Sequence, residues 1–509
     1  MGRGFTSDGV AIVVAGPRPN YRSWHCCGSC HGSVTTVIGS DHATLIGSFP
    51  VIERNCAMST RTVRTFYLPV VLLIAVSLLL VSTSSFAQNS FDPRSMAMGG
   101  TGVAVANPAT APFFNPAVLS LEKRERFSIE VPTVGVRIYD PNEFVDQVTT
   151  FQDSQFVTDL ETSLNSFNGA PSEATSSAVI SSIQALNQEL ESLGGSPLQA
   201  NVGIGLTLGD SGQKFGWTLY TSGTARAGTL FNYNDGDFLS GFADAIDLVD
   251  FDNPANNTAA LLDSLGDYVT YDVDDVTGEI TNIQAVPYSG DDIQSSVDLM
   301  GLGRYEVGLS LATDLGGMAF GVTPKFVQVK FVDYSANPES ADVEDFGLSD
   351  YQAEYEHFNV DIGFARELTD GWTVGFVGKN LIEQKYEGLR RNPDTQLFEP
   401  TGNVVTSSPT FQVGVAQQTD WGLIAVDYDL QETEGFNGLP GSQFLSSGIE
   451  LDAAGWGQIR AGYRANLSDS ERSVLSAGIG FSPFGVHVDF AVAGSENELG
   501  VAAQFGFRF

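Results

Sequence analysis

LGVAAQFGFRF, residues 499–509, ends the chain with apolar side chains at Leu499, Val501, Ala503, Phe505, Phe507 and Phe509, and small or polar ones at Gly500, Ala502, Gln504, Gly506 and Arg508. A period of two puts these sets on opposite faces of a strand. One oily face, one wet face and a terminal aromatic are what a membrane barrel strand requires, because lipid-facing and lumen-facing residues alternate along it. The same alternation occurs in Phe484, Val486, Val488, Phe490 and Val492, and in Leu475, Ala477, Ile479 and Phe481. Eleven earlier segments repeat it, near 127–138, 200–208, 214–222, 304–313, 318–332, 355–366, 371–381, 408–417, 421–430, 444–453 and 456–465. Fourteen segments of about nine to fifteen residues, close to the 9–11 that a tilted strand needs to cross a bilayer, predict an all-β fold, a transmembrane antiparallel barrel spanning 127–509.

The connections alternate in length, as they do where short turns line one rim of a barrel and long loops the other. Short turns fall at 209–213, 314–317, 367–370, 418–420, 454–455 and 482–483; longer links fall at 139–199, 223–303, 333–354, 382–407, 431–443, 466–472 and 494–498. With fourteen strands this phasing puts both chain ends on the short-turn side, the periplasm for an outer membrane of a Gram-negative bacterium. Trp217, Trp372, Trp421 and Trp456 all stand near the start of an odd-numbered segment. They form part of an interfacial girdle on that rim, or else ordinary sheet-edge packing.

Mean hydropathy is near zero, as expected when lipid meets only alternate residues. The one long apolar run follows Met58: Arg61 and Arg64 precede the core at 68–81, and Ser85, Phe86 and Ala87 supply a small-residue cleavage site. Residues 58–87 therefore read as a secretory signal peptide. Residues 1–57 precede a segment that belongs at an N-terminus and read as an over-extended gene model. They hold all four cysteines, including the haem-attachment pattern Cys27, Gly28, Ser29, Cys30, His31, which is set aside because it lies before the signal.

Without residues 1–87 the chain carries 19 Lys plus Arg (25 less six) against 58 Asp plus Glu (61 less three), a formal charge of −39. Nucleic-acid binding, which needs clustered basic residues, is excluded. Twenty-four of the acids lie in the two large loops, nine in 139–199 and fifteen in 224–303. They either bind divalent cations beside lipopolysaccharide and attract cationic partners, or solvate the loops. Asp272, Asp274, Asp275, Gly278 and Glu279 lack the spacing of a helix-loop-helix calcium site, so no metal and no cofactor is assigned. Ile183, Leu186, Leu190 and Leu193, like Leu239, Phe242, Ile246 and Val249, follow helical spacing. These short extracellular helices cap the mouth or pack on one another.

Residues 91–120, FDPRSMAMGGTGVAVANPATAPFFNPAVLS, are too rich in Gly, Ala and Pro for a crossing strand and too apolar for an exposed tail. The S-M-A-M-G-G-T-G run and the later Phe114, Asn115, Pro116, Ala117 resemble the N-terminal signature of FadL-like channels for hydrophobic compounds. More closely, this run, the helical insertion and LESLGGSPLQANVGIGLTLG (190–209) are similar to the FadL/PorV-like outer-membrane family called conjugal transfer protein TraF, which is distinct from the thioredoxin-like proteins of that name. The resemblance implies a hatch over 88–126 plugging a fourteen-stranded barrel, with Asn115, Pro116 and Ala117 as its candidate residues. It implies small hydrophobic ligands, a role linked to conjugal transfer, and as partners the bilayer, lipopolysaccharide and the barrel-assembly machinery that engages the C-terminal strand.

Two prolines bear on a route through the wall. The apolar phase runs Phe127, Ile129, Val131, then Val134, Val136, Ile138 after Pro132; around Pro324 it runs Phe320, Val322, Phe326, then Val327, Val329, Phe331. Proline cannot donate to a ladder and favours bulges and edges. Each site opens a lateral window or sets barrel curvature. Three functions are carried forward: a channel or binding barrel, an accessory surface protein of conjugation or cell contact, and an outer-membrane hydrolase. The last would have to use His357 with Asp361 or His487 with Asp489, and neither pair comes with a matching serine motif.

Overall fold

The computed structural model describes residues 91–121, 126–195, 197–212, 214–338, 348–392, 394–453 and 456–509, all within one compact unit. The expected signal peptide at 58–87 and the stretch 1–57 lie outside the described residues. Helix α1 (Pro93–Ala97) precedes the first strand, β1 (Arg126–Tyr139). There follow β2 (Pro197–Ser211), β3 (Gly216–Asn232), β4 (Val269–Val273), β5 (Ile280–Ala285), β6 (Ser296–Asp314), β7 (Ala319–Ala336), β8 (Gln352–Glu367) and β9 (Trp372–Lys379). The rest are β10 (Gln384–Arg391), β11 (Phe398–Ser407), β12 (Thr410–Gln418), β13 (Gly422–Asp429), β14 (Phe444–Ala453), β15 (Gly457–Asn466), β16 (Val474–Phe481), β17 (Val486–Gly494) and β18 (Glu498–Arg508).

Fourteen of these close into one antiparallel barrel, and β4–β5 and β10–β11 form separate hairpins. Closure comes from β18 pairing with β1, from Ser128 opposite Arg508 to Tyr139 opposite Glu498. A closed ladder leaves no strand edge, which a backbone in hydrocarbon cannot tolerate. The terminal strand has the alternation expected of it: Leu499, Val501 and Phe505 are exposed on the outside, while Gly500, Ala502, Gln504 and Gly506 are buried inside. Outward Leu219, Val307, Ile424, Ile459, Ile479, Phe490 and Val492 continue an apolar belt far larger than a soluble monomer exposes. Trp217, Trp372, Trp421 and Trp456 sit within a residue of the starts of β3, β9, β13 and β15, all on the short-turn rim.

Several strands run beyond their expected limits. β3 and β6 pair as far as Asn232 opposite Ser296, so the link between them is 233–295 rather than 223–303. Alternation with lipid ends inside the ladder, and the outer part of each strand meets protein or water on both faces. The hairpin β10–β11 falls in a link expected to lack strands. Phe484, expected to begin a strand, instead occupies the β16–β17 turn at φ 53° and is fully exposed.

The two largest loops fold together. Helices α2 (Phe144–Asp153), α3 (Phe156–Gly169), α4 (Glu173–Leu193), α5 (Gly236–Asp247) and α6 (Ala259–Ser264) pack with β4–β5 around Leu160, Phe167, Ile183, Leu186, Leu239 and Phe242. A capping box at Ser172 and Thr175 starts α4. Asn168 of α3 bonds the Ala285 backbone in both directions, at 2.8 and 3.0 Å. Buried Asp235 accepts N–H bonds from Gln294 and Ser295 at 2.8 and 2.7 Å, tying the loop's two ends together above β3 and β6. The apolar helix faces are thus consumed by a core of their own.

If the outer belt faces lipid, Phe490→Arg, at the middle of β17, costs about 2–4 kcal/mol in urea titrations of barrels folded into vesicles. Val276→Arg, in an exposed loop, leaves the midpoint unchanged.

Candidate functional site: the lumen and the segment within it

Residues 91–121 lie against the inner wall. α1 begins at Asp92, whose carboxylate accepts the Ser95 N–H at 2.7 Å, with Pro93 in the first helical position. It stops at Gly99 and Gly100, whose φ values of 71° and 98° favour glycine; the Gly100 N–H donates to Ser95 O at 2.7 Å. The M-G-G motif is therefore a helix stop.

The wall is built to admit this backbone. A Cβ at Gly203 of β2 would fall 2.5 Å from the Phe91 ring, one at Gly448 of β14 2.5 Å from Met98, and one at Gly375 of β9 2.5 Å from Val103 O. Gly321 of β7 abuts the Pro116–Ala117 peptide, and Gly363 of β8 abuts the Asn115 carboxamide. Where glycine is absent, alanine serves: Ala491 and Ala502 of β17 and β18 beside Ala97, Ala425 of β13 beside Ala104, Ala312 of β6 beside Leu119. Small residues on the inner face let two backbones approach closely.

Asn115 is fully buried and fully bonded. Its Oδ1 accepts from Ala117 N at 3.0 Å; its Nδ2 donates to Val103 O at 2.9 Å and to Phe364 O of β8 at 3.1 Å. Pro116 starts the short 3-10 helix Pro116–Ser120, and Ala117 packs on Ala319 and Ala365. The three residues thus join two parts of the segment to the wall. Sequence reasoning missed the wall's polar anchors. Asp427 of β13 accepts from Gly102 N at 2.6 Å and Val103 N at 2.8 Å. Ser476 of β16 bonds Gly99 N and Ala97 O, both at 3.1 Å. Glu450 of β14 holds Arg94 at 2.8 Å and Arg460 at 2.6 Å, and Arg460 reaches Asp489 at 2.5 Å. Lys379 of β9 donates to Phe113 O. Their signal in the sequence was a charge or hydroxyl in phase with inward glycines or alanines.

Cavities flank the segment. One of about 450 Å³ opens at the short-turn rim, lined among others by Arg94, Asn107, Glu450, Arg460 and Arg508. Another of about 320 Å³ lies at the loop rim, lined by residues of β1, β2, β3 and β15, the β11–β12 link and 431–437. Between them a buried network joins Glu306 to Arg304 at 2.7 Å and to Lys325 at 3.2 Å, and Lys325 to Asp361 at 3.0 Å. Beside it on the inner wall Leu302, Val327, Val329 and Phe331 cluster with Tyr386 and Phe436.

The two prolines differ. At Pro132 the register of β1 shifts against both neighbours, between Glu130 and Thr133. The bulge turns both Val131 and Pro132 outward, which accounts for the change of apolar phase. At Pro324 β7 keeps one register, with Gly308 opposite Lys325 and Leu311 opposite Val322; on the other side Pro324 itself pairs with Val360. The expected phase change there does not occur, because Val327, Val329 and Phe331 are inward residues of the lumen cluster. The histidines are also apart from the acids considered with them. His357 Nε2 lies 2.9 Å from the Tyr386 hydroxyl while Asp361 holds Lys325, and His487 pairs with Glu130 while Asp489 holds Arg460. No group of three or more possible metal ligands occurs among the described residues.

Fold and lumen define a fourteen-stranded transmembrane β-barrel with an N-terminal segment packed inside it. The chain belongs to the family described as "F plasmid transfer operon, TraF, protein", which it matches over residues 112–429. Solved structures similar to it include the Ralstonia pickettii toluene transporter TbuX, at 13% identity over 83% of this chain and 99% of that one, TM-score 0.42. A Pseudomonas aeruginosa FadL homologue is similar at 10% identity over 84% and 99%, TM-score 0.43. The CymD monoaromatic hydrocarbon channel is similar at 11% identity over 83% and 98%, TM-score 0.43. No curated protein matches the sequence.

Asn115→Ala and Asp427→Ala each weaken seating of the segment by about 1–3 kcal/mol, read as faster amide exchange over 91–121 with the barrel ladder still protected. Burial lifts the Asp92 carboxyl to about 6, with nearby Asp489 adding to the rise, against the Ser95 N–H and the Arg94 and Arg460 charges. The seated state therefore binds the proton more tightly than the free state. That contribution is full below about pH 4 and is lost as pH rises through about 6. Exchange over 91–121 is slower at pH 5 than at pH 7.5 once corrected for intrinsic rates, and Asp92→Asn, neutral throughout, removes this part of the difference.

Proposed function

We propose that the protein is a FadL-like channel or binding barrel of the outer membrane for small hydrophobic compounds, with residues 91–121 as its plug. One observation carries this reading: an apolar cluster on the lumen face, Leu302, Val327, Val329 and Phe331, where a water-filled pore would be polar. It adjoins the loop-rim cavity through Phe436; its side chains are fully buried, so an apolar compound moving inward from the mouth has to part this packing. The short-turn rim is then periplasmic, as are both chain ends. The bilayer and lipopolysaccharide surround the barrel, and the C-terminal strand is the handle for the assembly machinery. A lateral exit fits best at Pro132, where one strand loses register with both neighbours.

A role in conjugation or cell contact, in line with the family's description, is supported by a different feature, the self-contained loop subdomain. Uptake separates the two. Cells carrying the protein take up toluene-sized hydrocarbons faster than cells without it, and Val329→Asp lowers that rate about tenfold or more, since an uncompensated buried charge opposes an apolar ligand. Pro132→Val changes the flux while Pro324→Val does not. Equal uptake with and without the protein points to the accessory role.

A further inference from the structure

In a chain of net charge −36, four arginines converge on the loop-rim cavity: Arg137, Arg226, Arg464 and Arg472. The planes of three of them are held by aromatic faces. Arg226 lies 4.6 Å over Phe436, Arg464 4.5 Å over Phe444 and Arg472 5.5 Å over Tyr139, which leaves the N–H edges to hydrogen-bond. Few of those edges are used among the described residues. Arg137 and Arg464 share one carboxylate, Glu498, at 3.0 and 3.1 Å. Arg472 donates to Pro440 O at 3.0 Å and Arg226 to Gln199 Oε1 at 2.9 Å. Each guanidinium has five donors; the Nε of all four is closed off and has no partner, so the terminal N–H groups are what the cavity offers a ligand. Arg137, Arg464 and Arg472 are themselves more than nine-tenths buried. Among the described residues Arg226 makes no ion pair, and Arg472 lines the same cavity. The other acids lining the cavity, Glu432 and Glu434, are exposed at its edge.

Like charges gathered out of water with unfilled donors form a site for an anion. Met300, Val404 and Val405 supply an apolar side to the same cavity, and about 320 Å³ is at the small end for ligand pockets. We propose that this cavity binds a compact organic carboxylate, its charge on the guanidinium edges and its apolar body against Met300, Val404 and Val405. The inference rests on reading the barrel as a ligand-binding channel and names a ligand class for its mouth.

The test is calorimetric titration of the purified full-length barrel in detergent with benzoate, benzyl alcohol and inorganic phosphate. Benzoate binds saturably, and benzyl alcohol, of similar shape without the charge, binds at least about tenfold more weakly. Arg226→Gln and, separately, Arg472→Gln weaken benzoate about ten- to a hundredfold, and Arg226→Lys recovers part of the loss. Heat-modifiable gel mobility confirms that each variant is folded. Equal binding of benzoate and benzyl alcohol, undiminished affinity in both glutamine variants, or tighter binding of phosphate than of benzoate overturns the proposal. Benzoate binding by a protein that does not accelerate hydrocarbon uptake upholds this site and contradicts the channel; uptake without benzoate binding does the reverse.

Discussion

The structure depends on how closely a chain can approach the inside of a β-barrel. Closing fourteen strands satisfies every ladder and removes the edge, but it leaves a lumen to be filled or left open. Along residues 91–121 much of the filling is backbone. That is possible because strand after strand turns a glycine or alanine towards residues 91–121. A single branched side chain at Gly321 or Gly448 would occupy space already held by the Ala117 or Met98 backbone.

Close approach alone gives contact without register. The register comes from polar groups set singly in this small-residue surface: Asp427 under two consecutive N–H groups, Ser476 at the end of α1, Glu450 on Arg94, and the Asn115 carboxamide reaching out to β8. Bonds to charged groups are worth about 1.5–3 kcal/mol each. A few of them hold a short segment firmly without making its position permanent. The arrangement is consistent with the plug proposed for this segment, and it places the apolar lumen cluster and the arginine-lined mouth on the side away from most of these anchors.

Much of the barrel was legible because lipid imposes period two. The alternation in 499–509, the short and long links in turn and the tryptophans at one rim all follow from an outer face that must be oily. Legibility failed where that constraint stops. Above the bilayer β3 and β6 continue as a ladder with no apolar alternation to mark them, and Val327, Val329 and Phe331 are apolar because they face the lumen. Read as lipid-facing, they suggested a phase change at Pro324 that the ladder does not have; at Pro132 the change is a bulge. Asn115, Pro116 and Ala117 were visible through family resemblance. Their wall partners Phe364, Ala319 and Ala365 lie some 200 to 250 residues away in sequence, and no local pattern links the two. The arginines of the mouth come from four strands or their links and converge only through closure.

The account stands on a membrane-spanning cylinder and on the proposal that its own N-terminal segment seals it from within. Planar-bilayer conductance of the folded barrel, compared with the same chain lacking residues 91–121, tests both halves of that statement together. The account predicts low, brief conductance for the intact protein and stable open channels for the truncated one. Equal conductance from the two proteins, each verified as a folded barrel, would contradict it.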